Sequence, residues 1–127
     1  MASRPVRVLI VDDHAIFAEA VRFALERAPE VEVVGVAADG PTAIDLALLR
    51  EADVVLMDVT LPGFDGFEAT RRLLALKKTA RVLAMTSFAE DEIAGRLHDC
   101  GMVGYLGKTG IDKTLVPAIL AAAEPFQ

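Results

Sequence analysis

Val54-Val55-Leu56-Met57-Asp58 sets four consecutive apolar residues against a carboxylate, and three other mainly apolar runs likewise stop at polar residues. Val8-Leu9-Ile10-Val11 runs into Asp12-Asp13, Val82-Leu83-Ala84-Met85 into Thr86-Ser87, and Val103-Gly104-Tyr105-Leu106-Gly107 into Lys108. Short runs bounded by polar residues have the signature of strands buried on both faces, as in a parallel sheet. Parallel strands place their carboxyl ends along one edge, so the acids, the hydroxyl pair and the ammonium would meet in a single cleft.

Helical periodicity fills the intervals between strands. After a strand at Val6–Val11, the residues Ile16, Phe17, Ala20, Val21, Ala24 and Leu25 recur at helical spacing until Pro29. Val31–Ala37 reads as a second strand, and Asp39-Gly40-Pro41 opens a helix through Leu49, with Pro suited to the first helical position. Val54–Met57 is the third strand, followed by the turn Leu61-Pro62-Gly63 and a helix from about Asp65 to Lys77. Arg81–Met85 is the fourth strand, and Ser87-Phe88-Ala89-Glu90 has capping-box spacing for a helix ending near Gly101. Val103–Leu106 is the fifth strand, and a last helix spans about Asp112 to Ala123. Pro117 in that helix removes one backbone hydrogen bond and favours a bend. The alternation predicts one α/β domain, an open, doubly wound parallel sheet covered on both faces. Periodicity leaves the strand order open.

Composition supports a single folded domain. A chain of 127 residues encloses a sizeable core without disulfides. With 54% hydrophobic and 25% charged residues, it falls outside the disordered class. Cys100, the one cysteine, excludes a disulfide framework and suits a reducing compartment. A formal charge of −6 argues against nucleic acid as a direct partner, because phosphate contacts need clustered Lys and Arg. No apolar stretch reaches membrane-spanning length, and Met1-Ala2-Ser3-Arg4 leads into a strand, so a cytoplasmic location is expected.

The candidate cleft has its own chemistry. Asp12, Asp13 and Asp58 would repel one another unless a cation neutralises them, and Mg²⁺ suits such oxygen donors. Asp13 has a competing reading as the cap of an Ala15–Arg27 helix. Asp58 gains little as a mere turn former directly after four apolar residues. Lys108 would balance the remaining charge and hold a phosphoryl group as a point cation. Ser87 is the better helix cap, which leaves Thr86 at the strand tip to face a ligand.

Val11-Asp12-Asp13-His14, Met57-Asp58 through Asp65-Gly66, Met85-Thr86-Ser87 and Gly104-Tyr105-Leu106-Gly107-Lys108 together closely resemble the receiver domain of two-component response regulators. The resemblance covers essentially the whole chain. It implies a flavodoxin-like (βα)5 three-layer sandwich with strand order 2-1-3-4-5. It also implies that Asp58 is the phosphoacceptor, taking a phosphoryl group from a phosphohistidine on a sensor histidine kinase. Mg²⁺ would be held by Asp13 and Asp58, by the Thr60 carbonyl, and by Asp12 mostly through water. Thr86 would donate to the phosphoryl group, Lys108 would pair with Asp58 or the phosphate, and Tyr105 would follow Thr86. The output surface would be the fourth helix, fifth strand and fifth helix, a face through which related receivers often form homodimers. Thr60 and Phe88, each two residues past a site residue, would tune dephosphorylation, the bulk of Phe88 slowing loss of the phosphoryl group.

His14 after the acidic pair and Gly-Tyr-Leu before Gly107-Lys108 look most like NarL/FixJ-type (LuxR-type) transcriptional regulators. Nineteen residues follow Lys108, enough for one helix. The chain therefore reads as a single receiver without an output domain, either standing alone or belonging to a longer regulator. Thr109 stands where many receivers have Pro, so no cis peptide is expected there. Three rival readings fit less well. A haloacid-dehalogenase-type phosphatase wants a second acid where Thr60 stands. A P-loop built on Gly107-Lys108-Thr109 wants Gly at Met102. A degenerate receiver acting only as a binding module would not need the full set of acids, hydroxyl and lysine. A phosphorylation-switched signalling domain, not an enzyme, is the expectation.

Overall fold

All five residues of β3 (Val54–Asp58) are buried, as the apolar run requires. The computed structural model describes residues 4–87 and 90–124. In chain order the remaining elements are β1 (Val6–Val11), α1 (Ala15–Glu26), β2 (Val31–Ala37), α2 (Gly40–Leu49), α3 (Gly66–Leu76), β4 (Arg81–Thr86), α4 (Glu90–Cys100), β5 (Gly104–Gly107) and α5 (Ile111–Ala123). The strands form one sheet in the order 2-1-3-4-5, every neighbouring pair parallel. This is the doubly wound, three-layer architecture expected from the alternation of strands and helices.

The pleat sorts each strand between two cores. Leu9, Val11, Val55, Met57, Val82 and Ala84 face Ala43 and Ala47 of α2, Phe67 and Leu73 of α3, and Ile93 and Leu97 of α4. Val8, Ile10, Val54, Leu56, Leu83 and Met85 face Ala18, Val21 and Leu25 of α1, together with Leu115 and Ile119 of α5. Burying each large side chain contributes on the order of 2 kcal/mol before entropy is counted. Register then levels the strand tips, pairing Val11 with Met57, Asp58 with Met85, and Thr86 with Gly107.

Several boundaries differ from the periodicity. β3 and β4 each include their polar tip residue, and β5 starts at Gly104, leaving Val103 outside. α5 begins at Ile111 behind Gly110, whose φ of +71° is readily adopted by glycine, and it continues through Pro117. Part of the capping box at residues 87–90 lies outside the described residues. No cis peptide occurs among the described residues, and none of their helices is long and apolar enough to cross a membrane.

The loop from β3 to α3 is fixed by two close glycine contacts. Asp65 caps α3, its Oδ1 accepting from Glu68 N–H at 3.0 Å. A Cβ on Gly66 would overlap the Asp58 carbonyl oxygen and come within 3.0 Å of Met57 Cγ. A Cβ on Gly40 would overlap the Phe64 ring, which lodges there while Arg72 stacks on it at 4.3 Å. Gly66→Ala should destabilise the domain by about 2 kcal/mol, the range for overpacking a tight contact. A chemical-denaturation midpoint equal to wild type would refute this close-packing account.

Candidate functional site

Asp12, directly after β1, and Asp58, the last residue of β3, lie on adjacent strands and are 2% and 1% exposed. Both use one carboxylate oxygen locally. Asp12 Oδ1 accepts from His14 N–H at 2.8 Å; Asp58 Oδ1 accepts from Thr60 N–H at 3.0 Å and from the Thr60 hydroxyl at 3.1 Å. These two-residue Asx turns fix the side-chain rotations and leave Oδ2 of each available. Lys108 Nζ donates to both, at 2.9 Å to Asp12 Oδ2 and 3.2 Å to Asp58 Oδ2. Asp58 is thus a turn former and a cleft carboxylate at once.

Lys108 is carried to this position by β5. Its N–H donates to the Thr86 carbonyl at 2.8 Å, extending the pairing of the two strand tips. The Phe17 ring of α1 lies 4.7 Å from Nζ, on the cation–π scale. The ammonium is therefore held by two carboxylates and an aromatic ring contributed by different elements.

Electrostatics separates the two buried acids. Burial pushes the Asp12 carboxyl up, but the Lys108 ammonium and the His14 N–H outweigh it and hold Asp12 below the usual carboxylate range. Burial pushes Asp58 up as well, the Asp12 charge adds to it, and the Thr60 and Lys108 contacts do not offset the sum. Burial disfavours the Lys108 ammonium, yet its two carboxylate partners hold its pKa above the ordinary value.

Asp13 sits at the rim with its side chain 36% exposed. It does not cap α1. The capping position is His14, which makes no side-chain cap bond. One ligand atom each from Asp12, Asp13, His14 and Asp58 lies within 4.8 Å of every other. Three hard oxygen donors facing one ammonium leave the cleft net negative, so the donor set fits a divalent cation. A separate depression lined by Arg4, Asp53, Lys77 and Arg81 lies near the amino ends of the strands and includes none of these residues.

Thr86 is buried at the tip of β4, while Ser87 beside it is exposed. Tyr105 pairs with Ala84, and Gly107 pairs with Thr86, so the alternation places Tyr105, Gly107, Ala84 and Thr86 on one sheet face. A Cβ on Gly107 would meet no atom of the described residues within 4 Å beyond its chain neighbours. Tyr105 is 37% exposed. Phe88 lies outside the described residues.

Sequence reasoning passed over three contributors. Phe17 follows the core periodicity of α1 and reads as core, yet its ring lies over Lys108. Gly66 carries no chemical group, and its signal was the Asp-Gly pair opening α3. Arg96 of α4 stacks on Phe67 at 3.9 Å and pairs with the helix-capping Asp65 at 3.2 Å, linking α4 to the loop after Asp58. Nothing at the level of one-dimensional spacing signals that contact.

A parallel sheet ordered 2-1-3-4-5 with an acid cluster and a lysine at its carboxyl edge is the arrangement of a receiver. The chain belongs to the response regulator receiver domain family, whose model matches residues 8–120, and is the receiver domain of a two-component response regulator. The proteins it resembles include LuxR- and NarL-type regulators. It is 34% identical over 119 residues to the transcriptional regulatory protein LiaR of Bacillus subtilis, covering 94% of this chain and 56% of LiaR. A two-component response regulator of the LuxR family from Aurantimonas superposes with a TM-score of 0.88 at 38% identity, covering 94% of this chain and 85% of that one. The receiver domain of the putative response regulator NarL from Mycobacterium tuberculosis gives 0.89 at 34% identity, covering 95% and 98%. The chain spans little more than half the length of the transcriptional regulators it matches.

Proposed function

We propose that Asp58 accepts a phosphoryl group from a phosphohistidine of a sensor histidine kinase and that this biases the face formed by α4, β5 and α5. The observation that carries the reading is the division of labour at Asp58, where Oδ1 is tied to Thr60 and Oδ2 faces Lys108 in a cleft with two further carboxylates. Asp58 Oδ2 attacks phosphorus, the phosphorus–nitrogen bond breaks, and the electron pair stays on the imidazole nitrogen, leaving an acyl phosphate. Asp12, Asp13 and Asp58, with the Thr60 carbonyl, would hold Mg²⁺, which when bound supplies positive charge to the carboxylates and phosphoryl oxygens. Lys108 turns from Asp58 to the new phosphoryl oxygens, and the Thr86 hydroxyl donates to another.

Inward movement of Thr86 favours an inward Tyr105, the two residues sharing one sheet face. The result is a shift between existing populations, as large as the phosphoryl group's differential contacts in the two states allow. Thr60 and Phe88 tune how fast water removes the phosphoryl group. The domain works as a cytoplasmic, phosphorylation-switched signalling module whose only reactions are its own phosphorylation and dephosphorylation. Its output is transcriptional, through a segment outside this chain or a partner, and its homodimer surface is the α4–β5–α5 face. Exposure of the protein to Mg²⁺ and acetyl phosphate should add one phosphoryl group, located to Asp58 by mass spectrometry of peptides. Modification elsewhere, or none, would overturn the assignment.

Exposed apolar residues of α1 offer the kinase a docking surface beside the acids. Ile16 is 89% exposed and Phe23, two turns along, is 66% exposed. Ile16 lines a shallow groove with His14, Phe17, Ala20 and Lys108 that opens beside the acids. Ile16→Asp should slow transfer from the kinase about tenfold, the effect of about 1.4 kcal/mol at an interface. Modification by acetyl phosphate should be unchanged; equal slowing with both donors would remove α1 from the docking surface.

A further inference from the structure

We propose that His14 supplies a nitrogen ligand at the acidic cluster, so that the site prefers a first-row transition ion such as Mn²⁺ or Ni²⁺ to Mg²⁺. The inference rests on reading the cluster as a cation site and adds a donor of different chemistry to it. His14 occupies the capping position of α1 with extended backbone (φ −89°, ψ 97°), where Ser, Thr, Asp or Asn would ordinarily accept from the first turn. Its side chain makes no cap bond. The ring is instead turned into the cluster, Nδ1 standing 3.1 Å from Asp12 Oδ1, 3.4 Å from Asp13 Oδ1 and 3.9 Å from Asp58 Oδ2.

Those separations, the shortest of them a hydrogen-bond distance, are also compatible with donors that share one ion. Adjacent donors on an octahedral ion, each about 2.1 Å from it, stand about 3 Å apart, and opposite donors about 4.2 Å. The 3.1 and 3.4 Å distances lie near the adjacent-donor value and the 3.9 Å distance near the opposite-donor value. Nδ1 now lies at hydrogen-bond distance from Asp12, and ligation needs its lone pair. Ligation uses the tautomer that carries its hydrogen on Nε2, so that the Nδ1 lone pair faces the cluster. With 66% of its side chain exposed, His14 can adjust its ring without disturbing the core.

Nitrogen donors discriminate among cations. Mg²⁺ favours oxygen ligands and gains little from imidazole, whereas affinity for mixed nitrogen and oxygen sites rises from Mn²⁺ towards Ni²⁺ and Cu²⁺. The neighbouring carboxylates are common to both kinds of ion, so the imidazole is the element that separates them.

Calorimetric titration of wild type and His14→Ala with Mg²⁺, Mn²⁺ and Ni²⁺ tests the proposal, with pulsed electron paramagnetic resonance on the Mn²⁺ form. Wild type should bind Mn²⁺ and Ni²⁺ more tightly than Mg²⁺ and show nitrogen coupling to Mn²⁺. His14→Ala should lose that coupling and about tenfold in Ni²⁺ affinity, with Mg²⁺ affinity changed less than about twofold. His98→Ala, which removes the chain's other histidine, should leave Ni²⁺ affinity intact. Absence of nitrogen coupling, or equal losses for Mg²⁺ and Ni²⁺, would overturn the role of His14 while leaving the cation site standing. Failure of wild type to bind any of the three ions would overturn both.

Discussion

Lys108→Met should lower the stability of the cation-free protein by about 3 kcal/mol, the cost of removing one partner from a buried ion pair. For a domain of this size that is a fall of on the order of 10 °C in Tm. Methionine keeps an apolar stem beside Phe17, so the substitution removes charge with little loss of packing. What remains is two adjacent carboxylates, Asp12 and Asp58, whose side chains are 0% and 1% exposed and which no longer share an ammonium. Neither can turn to solvent, because each is fastened through Oδ1 to the N–H two residues on.

The pH dependence gives a second reading of the same contact. Asp12 is held below its ordinary pKa in the fold. Its contribution is present above the ordinary carboxylate range and is lost as pH falls through the lowered value. Lys108 is held above its ordinary pKa. Its contribution is full below the usual lysine range and is lost as pH rises through the raised value. Lys108→Met should therefore abolish the alkaline loss and weaken the acid-side one. Divalent cation should restore more stability to the variant than it adds to wild type, because it replaces the missing charge. Equal denaturation midpoints for the two proteins in a chelating buffer would show that the ammonium is not holding the acids in place.

The sheet was legible because its strands advertise themselves twice, once in unbroken apolar runs and once in the polar residue that stops each run. Val54–Asp58 has no polar interior residue and is short enough for a buried strand, which sets its carboxylate at the tip. Strand order is different, since crossover lengths between β1, β2 and β3 permit more than one arrangement; resemblance supplied it. The acids and Lys108 were legible through residue type and position. Their internal assignments were not. Asp13 and His14 both follow the strand, and periodicity has no means of telling which residue caps α1 and which side chain turns inward. Backbone dihedrals decided that, with His14 at the cap and its imidazole over the acids. Phe17 was hidden for a related reason, because an aromatic at core spacing looks the same whether it packs on leucine or on an ammonium. Gly66 was hidden because a missing side chain signals nothing until a carbonyl is found where it would stand.

Asp58→Asn should block modification altogether and, without divalent cation, stabilise the domain at neutral pH by about 1 kcal/mol, or a few degrees in Tm. The fold raises the Asp58 pKa, first by burial and then through the charge of Asp12. A raised folded pKa means that stability is greatest below the ordinary carboxylate range and declines as pH rises through the raised value. At neutral pH the ionised Asp58 is therefore a burden on the cation-free protein. Asparagine keeps an Oδ1 for the Thr60 N–H and hydroxyl, which now lie at 3.0 and 3.1 Å, and removes the charge. The gain over wild type should shrink as pH falls from neutral through the raised value, where Asp58 itself becomes protonated. Saturating Mg²⁺ should reverse the order, because the carboxylate is then a ligand. Asp12→Asn should behave in the opposite way and destabilise at neutral pH, since the Lys108 and His14 contacts favour its ionised form. Two neighbouring carboxylates that share one lysine would thus give substitutions of opposite sign. Urea denaturation of the three proteins across this pH range in a chelating buffer measures both, and a loss of stability in Asp58→Asn at neutral pH would sink the argument.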